Sequence, residues 1–370
     1  MSAAPKVDEA PMTARRVSLL GRLPRGQVQA IGVLIALVGL IVATGLHSSL
    51  FFGLNNIKVQ AENMSFIAIA GVGTAILIIT GNVDLSIGSG LGLTAVLSAM
   101  LATIMPVPLA FVAAVLIGGA VGAINGFIVW NVSTSPIIIT LGGLTLIRGL
   151  IVVITKGQAV TGMPASFTQF GNATPLGIPM PVWVFLVVAF LAFLFLTFTT
   201  TGRHIYAIGG NKEAARAAGI RVRRITIGAF VVSGMLVGLT GVLQASLYGA
   251  PDDTFGNGFE LQVITAVIVG GVSFAGGEGG IIRAMLGCAL LQVVAGSVVF
   301  FGIDPNYAYI ITGSILILAV SMDQIVHKQR ERYQKAMAMR DLARFNEERR
   351  REALGDGPGP DAPVVTIQTD

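Results

Sequence analysis

From residue 31 to residue 321 the chain is a series of long apolar runs broken by short polar segments. A helix needs about 20 apolar residues to cross the hydrocarbon core of a bilayer. On that rule the runs predict about ten membrane helices: Ile31–Leu50, Met64–Thr80, Leu85–Met105, Pro108–Trp130, Pro136–Thr155, Val182–Thr199, Ile225–Tyr248, Leu261–Phe274, Ile281–Phe301 and Tyr307–Ser321. The second and eighth are short and glycine-interrupted, which suggests broken or re-entrant elements. The fold class is therefore all-α, a polytopic integral membrane protein, because helices satisfy their own backbone groups in lipid.

The polar segments predict sidedness. The N-terminal stretch carries five Lys or Arg, the segment Arg203–Arg224 six, and the tail beyond His327 nine. Lys58 and Lys156 alone fall in loops of the opposite side. Even numbers of spans separate the three basic regions, so all three share one face, the cytoplasmic one by the positive-inside rule. The expected organisation is a disordered arm over 1–27, a membrane domain over 28–324, a charged cytoplasmic helix over 325–354 and a disordered tail over 355–370. The loops Thr155–Pro181 and Gly249–Glu260 are expected outside.

The basic segment Gly202–Arg224, GRHIYAIGGNKEAARAAGIRVRR, holds more than charge. Asn211 is a good N-cap, since its side-chain oxygen can accept from first-turn N–H groups. Lys212 to Ala218 are nearly all strong helix formers. Gly219 supplies a left-handed stop, and Ile220 follows where a hydrophobic clasp is expected. About two turns of helix are not stable alone in water, so something must hold this one. The plainer reading is a solvated basic loop that obeys charge bias, but charge bias does not call for a capped helix.

Composition agrees with the membrane reading: 12% of the residues are charged, against about 25% in soluble domains. Glycine is abundant at 47 residues, as expected where helices approach closely in lipid. The net charge of +5 does not imply nucleic acid, because the basic residues cluster beside spans. Cys288 lies in an apolar run and reads as a small buried hydrophobe. The first 30 residues lack the pattern of a cleavable signal peptide. None of the six lysines follows a glycine, so the Walker lysine of a P-loop is missing. His47, His204 and His327 lie far apart, and zinc spacing is absent. Neither enzyme activity nor a metal site is expected.

Several glycine motifs remain. GNVDLSIGSGLG, over 81–92, puts Asp84 and Ser86 at a helix start, with Gly88 behind them, and Asp84 is an apt N-terminal cap there. VGGVSFAGGEGG, over 269–280, carries Gly276, Gly277 and Gly280 between two late spans. With TLGGLTLIRGL (140–150), GRHIYAIGGN (202–211) and GFELQVITAVIVGG (258–271), the ordered set resembles the ribose-type monosaccharide permeases of ATP-binding cassette importers over residues 60–322. The long charged C-terminal helix departs from that compact pattern.

The resemblance implies a transport subunit of a bacterial inner membrane. It would pair with a second permease chain, identical or not, and work with a cytoplasmic ATPase that holds ATP and magnesium. An external solute-binding protein would deliver a small neutral sugar: a pentose, hexose or sugar alcohol. Coupling to the ATPase would fall to Gly202, Arg203, Gly210, Asn211, Lys212, Glu213, Ala214, Ala215, Arg216, Ala218 and Gly219. Ala214, Ala215 and Ala218 would allow close approach, and Lys212 or Arg216 would meet acids on the partner. An ion-coupled transporter is the main alternative, though it would place ionisable groups near the midplane. A branched-chain amino acid permease is a third reading, which the sugar-type motifs disfavour.

Uncharged polar residues inside the spans, Asn125, Gln244, Gln292, Thr94 and Thr145 among them, suit a pathway for hydroxylated solutes. Gly118, Gly122 and Gly126 recur every four residues and make a packing face beside Asn125. Arg148 lies inside the fifth span, where it either snorkels outward or makes a fixed contact with a helix end or with sugar hydroxyls. Asp252, Asp253 and Glu260 form an acidic external rim that could steer a basic partner. The two glycine breaks suggest an inverted repeat, yet they do not fall at equivalent places in two halves of five. Either a span is miscounted or the repeat is illusory.

Overall fold

The computed structural model describes residues 25–132 and 134–353, which leaves most of the expected N-terminal arm and all of the tail outside the described residues. The described residues form helices and no strands. The apolar elements are α1 (Arg25–His47), α2 (Leu54–Ile79), α3 (Ile87–Ala102), α4 (Val107–Val132), α5 (Pro136–Thr155), α7 (Met180–Phe198), α10 (Val222–Tyr248), α11 (Phe259–Val269), α12 (Ile281–Phe300) and the start of α13 (Tyr307–Ala353). Eight of them are long and apolar enough to cross a bilayer, while α3 and α11 are shorter. From Val320 onward α13 belongs to a second compact unit and runs unbroken to Ala353.

The second apolar helix is not short. Its 26 residues begin ten positions before the expected Met64, and the polar group Asn55 to Asn63 lies inside it. The short helices are instead the third, α3, and the eighth, α11. These hold equivalent places in two sets of five, although the glycine stretches do not, since Gly81–Gly92 leads into α3 and Gly270–Gly280 follows α11. At about 1.5 Å per residue, the 11 residues of α11 cover only roughly 16 Å, half a bilayer.

Two short helices lie within stretches where no helix was expected, and the expected short basic helix is present as well. The segment between α5 and α7 contains α6 (Ala165–Asn172). Fully buried Phe167 anchors it, with an edge contact to the ring of Phe111. The Ser246 hydroxyl ties it to α10 by donating to Phe167 O and accepting from Gly171 N. The basic segment contains α8 (Thr200–Gly210), capped by Thr199, and α9 (Lys212–Ala217).

The centre of the fold is a backbone contact between α4 and α10. A Cβ on Gly118 or Gly122 would collide with the carbonyl of Gly234 or Phe230, and one on Gly234 with the carbonyl of Gly118. The four-residue glycine repeat thus packs as its spacing predicts. Helices in lipid lack a hydrophobic drive to associate, so dispersion across such close contact carries the packing.

Gly122→Ala should cost on the order of 2 kcal/mol by overpacking and lower the melting temperature of the purified protein. Gly142→Ala, whose added methyl meets open space, should leave it unchanged or raised. Equal melting of the two variants would contradict this account of the bundle.

Candidate functional site

Asn211 holds α9 at its start by accepting from Ala214 N at 2.9 Å. At its end Gly219 N donates to Arg216 O and Ile220 N to Ala215 O, with Gly219 at φ +80°. This is the glycine-terminated stop that the residues imply. The helix lies on its own chain. Buried Ala215 packs with Ile208 and Val222, with Trp130, Ile220 and Ile225 around them. Lys212 and Arg216 stand over the Trp130 ring at 4.9 and 5.8 Å. Arg216 also pairs with Glu213 at 3.3 Å.

One expectation changes here. Ala215 faces inward, so the outer surface of α9 is made by Glu213, Ala214, Ala217 and Ala218. Lys212 and Arg216 lie over the indole, whose face attracts cations, and both stay exposed. Gly202 is buried in the first turn of α8, where a Cβ would meet Phe195 O at 2.7 Å, whereas Arg203 is exposed.

Three separate glycine motifs meet directly behind α9. Gly277 N donates to Ile79 O at 2.9 Å. A Cβ on Gly276 would come within 2.9 Å of the Gly81 Cα, one on Gly277 within 2.7 Å of Gly210 N, and one on Gly209 would collide with Ile79 O. A Cβ on Gly210 would point into open space, and Gly280 opens α12. This clasp joins the end of α2, the end of α8 and the loop that leads into α12.

At the opposite end of the bundle lies a cavity of about 410 Å³. Gln244, which lines it, is 22 residues along α10 from Val222, or roughly 33 Å at 1.5 Å per residue. Asn56, Gln60 and Asn63 of α2, Gln262 of α11 and Gln292 of α12 also line it, with Phe66, Phe259 and Phe300. Gln292 Nε2 donates to Gln60 Oε1 at 2.7 Å across the space. No charged side chain is among the described lining residues. The α2 contributors, Asn56, Gln60 and Asn63, recur at the spacing of one helix face. That spacing was the signal that could have revealed them.

Gln244 and Gln292 therefore reach the cavity, and the other pathway candidates do not. Asn125 donates to Ser86 Oγ at 2.8 Å and to Asp84 Oδ2 at 3.5 Å, which knits α4 to the start of α3. Thr94 and Thr145 bond carbonyls of their own helices. Asp84 is buried but is not the cap of α3. Its Oδ1 accepts from Ser86 N at 2.8 Å and Ser86 Oγ at 2.6 Å, which orders the turn before the helix, and Ser86 takes the cap position.

Arg148 makes a fixed contact. Its Nη1 donates to Asp253 O at 2.7 Å and Phe255 O at 2.8 Å, pinning the segment between α10 and α11 to α5, beside Gly92 of α3. Asp252 bonds Thr254 near the surface. Glu260 is not a rim residue. Its carboxylate lies against Gly88 in the first turn of α3, close enough to Arg148 for their charges to interact, and Oε2 is buried without a hydrogen bond. Gly88 is 14 residues from the end of α3, so Glu260 sits on the order of 20 Å below that end. The helix starts of α3 and α11 both point their positive dipole ends at it.

The branched-chain amino acid transport system / permease component family matches residues 57–320. The ribose import permease protein of Escherichia coli K12 is 37% identical over 295 residues, 78% of this chain and 92% of the relative. The D-allose transport system permease protein of the same strain is 34% identical over 300 residues, 80% and 90% of the two chains. The L-arabinose ABC transporter permease protein of Azospirillum brasilense is 34% identical over 301 residues, 81% and 88%. No solved structure matches the chain. The family match holds the helix α9 and every residue that lines the amide cavity at the other end of the bundle except Asn56. The chain accordingly belongs to the branched-chain amino acid transport system / permease component family, as the membrane-spanning permease subunit of an ATP-binding cassette importer.

Proposed function

We propose that this permease imports a small neutral sugar, a pentose, hexose or sugar alcohol, in the inner membrane of a bacterium. The cavity carries the reading: six amide side chains and three aromatic rings surround it, and no described charge lines it. Amides donate and accept, as hydroxyl groups require. An amino acid would bring a carboxylate and an ammonium group that need charged partners. Names of the relatives, which are ribose, allose and arabinose permeases, support the same substrate class.

In this reading both termini and α9 face the cytoplasm and the cavity opens outward. A cytoplasmic ATPase with ATP and magnesium docks on α9, a solute-binding protein delivers sugar at the other end, and a second permease chain completes the pathway. The clasp of Gly81, Gly209 and Gly276–Gly277 would carry motion of α9 into α2 and α12, the helices that hold Gln60 and Gln292. The half-buried Glu260 serves as counter-charge to Arg148 and two helix starts, not as an ion-coupling site. Uptake into vesicles driven by an ion gradient, without ATP or binding protein, would refute the proposal.

Replacement on the outer face of α9 should separate docking from folding. Ala218→Trp is expected to leave the melting temperature unchanged while co-purification with the ATPase and uptake are lost. Ala215→Trp should lower the melting temperature, since it overpacks a buried site. Gly219→Val should insert normally yet abolish uptake, because a β-branched residue is strained at positive φ. Retained uptake in Ala218→Trp and Gly219→Val would remove α9 from the coupling role.

In the cavity, Gln60→Leu or Gln292→Leu should reduce maximal uptake about tenfold, the effect of ~1.4 kcal/mol in a transition state. Basal ATP hydrolysis by the assembled complex should persist. Unchanged uptake in both variants would exclude this cavity as the pathway.

At the outer rim, Asp252→Asn with Asp253→Asn should slow uptake at low ionic strength and matter little at high salt, as for charges that steer an encounter. Identical uptake across salt concentrations would rule out a docking role for these acids.

A further inference from the structure

A second crevice, of about 370 Å³, lies at the α9 end of the bundle, where α1 and α12 begin, α7 ends and α8 starts. Its walls are apolar: Ala30, Phe193, Leu196, Ile281 and Ile282, the last 62% exposed. Its polar corner is built by Tyr206 and Arg283. Both donate to one acceptor, Gly279 O, Arg283 Nη2 at 2.5 Å and Tyr206 Oη at 3.3 Å, so the two head groups converge. A guanidinium has five N–H donors. Among the described residues Arg283 makes this one side-chain hydrogen bond and no ion pair. Arg148, by contrast, spends its donors on two carbonyls and lies near Glu260.

A half-buried cation at the edge of an apolar crevice favours an anion that can reach it. A free phosphate would gain the guanidinium and the phenol but nothing from Phe193, Leu196 or Ile282. An anionic lipid satisfies both parts of the site, and basic pockets at helix ends are a recurring form of headgroup recognition. We propose that this crevice binds an anionic phospholipid. Its phosphate takes the remaining donors of Arg283 and the single O–H of Tyr206, which leaves Gly279 O for it, and its upper acyl chain lies along Phe193, Leu196 and Ile282. The site abuts Gly279 and Gly280, so the lipid would rest against the loop that forms part of the clasp.

The test uses the purified, delipidated full chain with phosphatidylglycerol, phosphatidylcholine or inorganic phosphate. Melting temperature and bound adducts in native mass spectrometry are the readouts. Phosphatidylglycerol should raise the melting temperature by roughly 3 °C and remain as adducts, and phosphatidylcholine should do neither. Arg283→Gln should lose the shift and at least four-fifths of the adducts, and Tyr206→Phe should lose part of both. Ile282→Trp, which fills the mouth and leaves Arg283 in place, should also lose the adducts and guards against misfolding of the arginine variant. Equal effects of the two lipids, or full adducts in Arg283→Gln and Ile282→Trp, would overturn the proposal. So would an equal shift from inorganic phosphate, which would make this a free-anion site.

Discussion

The contact of α4 with α10, glycine against backbone, is the constraint on which the rest of this bundle depends. Lipid offers no hydrophobic reward for joining two apolar helices. Stability must then come from surfaces that fit closely, and a missing side chain at Gly118, Gly122 and Gly234 allows one backbone to reach the other. The same device recurs wherever the chain leaves regular helix. Gly92 leaves room for Phe255 O beside Arg148, and Gly276 and Gly277 let three chain segments meet behind α9.

Half-helices create the second problem that the fold solves. A helix that stops inside the bilayer exposes N–H and C=O groups that no water can satisfy. The break before α3 is filled by Asp84, Ser86 and Asn125, with Leu85 N donating to Thr140 Oγ1. The segment before α11 is pinned by Arg148, and Gln29 donates to carbonyls at the far end of α11. Two of the in-span polar groups foreseen as pathway, Asn125 and Arg148, are spent on this repair. Those left at the cavity are amides from helices whose backbones need no help.

Division of labour follows along the bundle axis. The cavity draws on α2, α10, α11, α12 and α13 at one end, and α9 rests on Trp130 and Ile208 at the other. Because α2 and α12 also end at the clasp, the elements that touch the cavity are mechanically continuous with those beside α9. The isolated α9 helix would not persist in water. It is held by its own membrane domain through Ala215, which leaves only one face for a partner.

Read alone, the sequence determined whatever local chemistry decides. Apolar run length gave the all-α membrane class, the residue types at Asn211, Gly219 and Ile220 gave α9 with both its ends, and the spacing of Gly118, Gly122 and Gly126 gave a packing face. It misjudged what depends on distant neighbours. The start of α2 was hidden because Asn56, Gln60 and Asn63 interrupt an apolar run, and they are polar because they face a cavity that four other helices complete. Glu260 read as a rim acid because it closes a loop that carries Asp252 and Asp253, whereas Arg148 and Gly92 draw that segment into the bundle. Ala215 could face in or out on a two-turn helix, and only Trp130, 85 positions earlier, decides the matter. Tertiary structure chose these outcomes, since burial and partner choice are set by residues far apart in the chain and close in space.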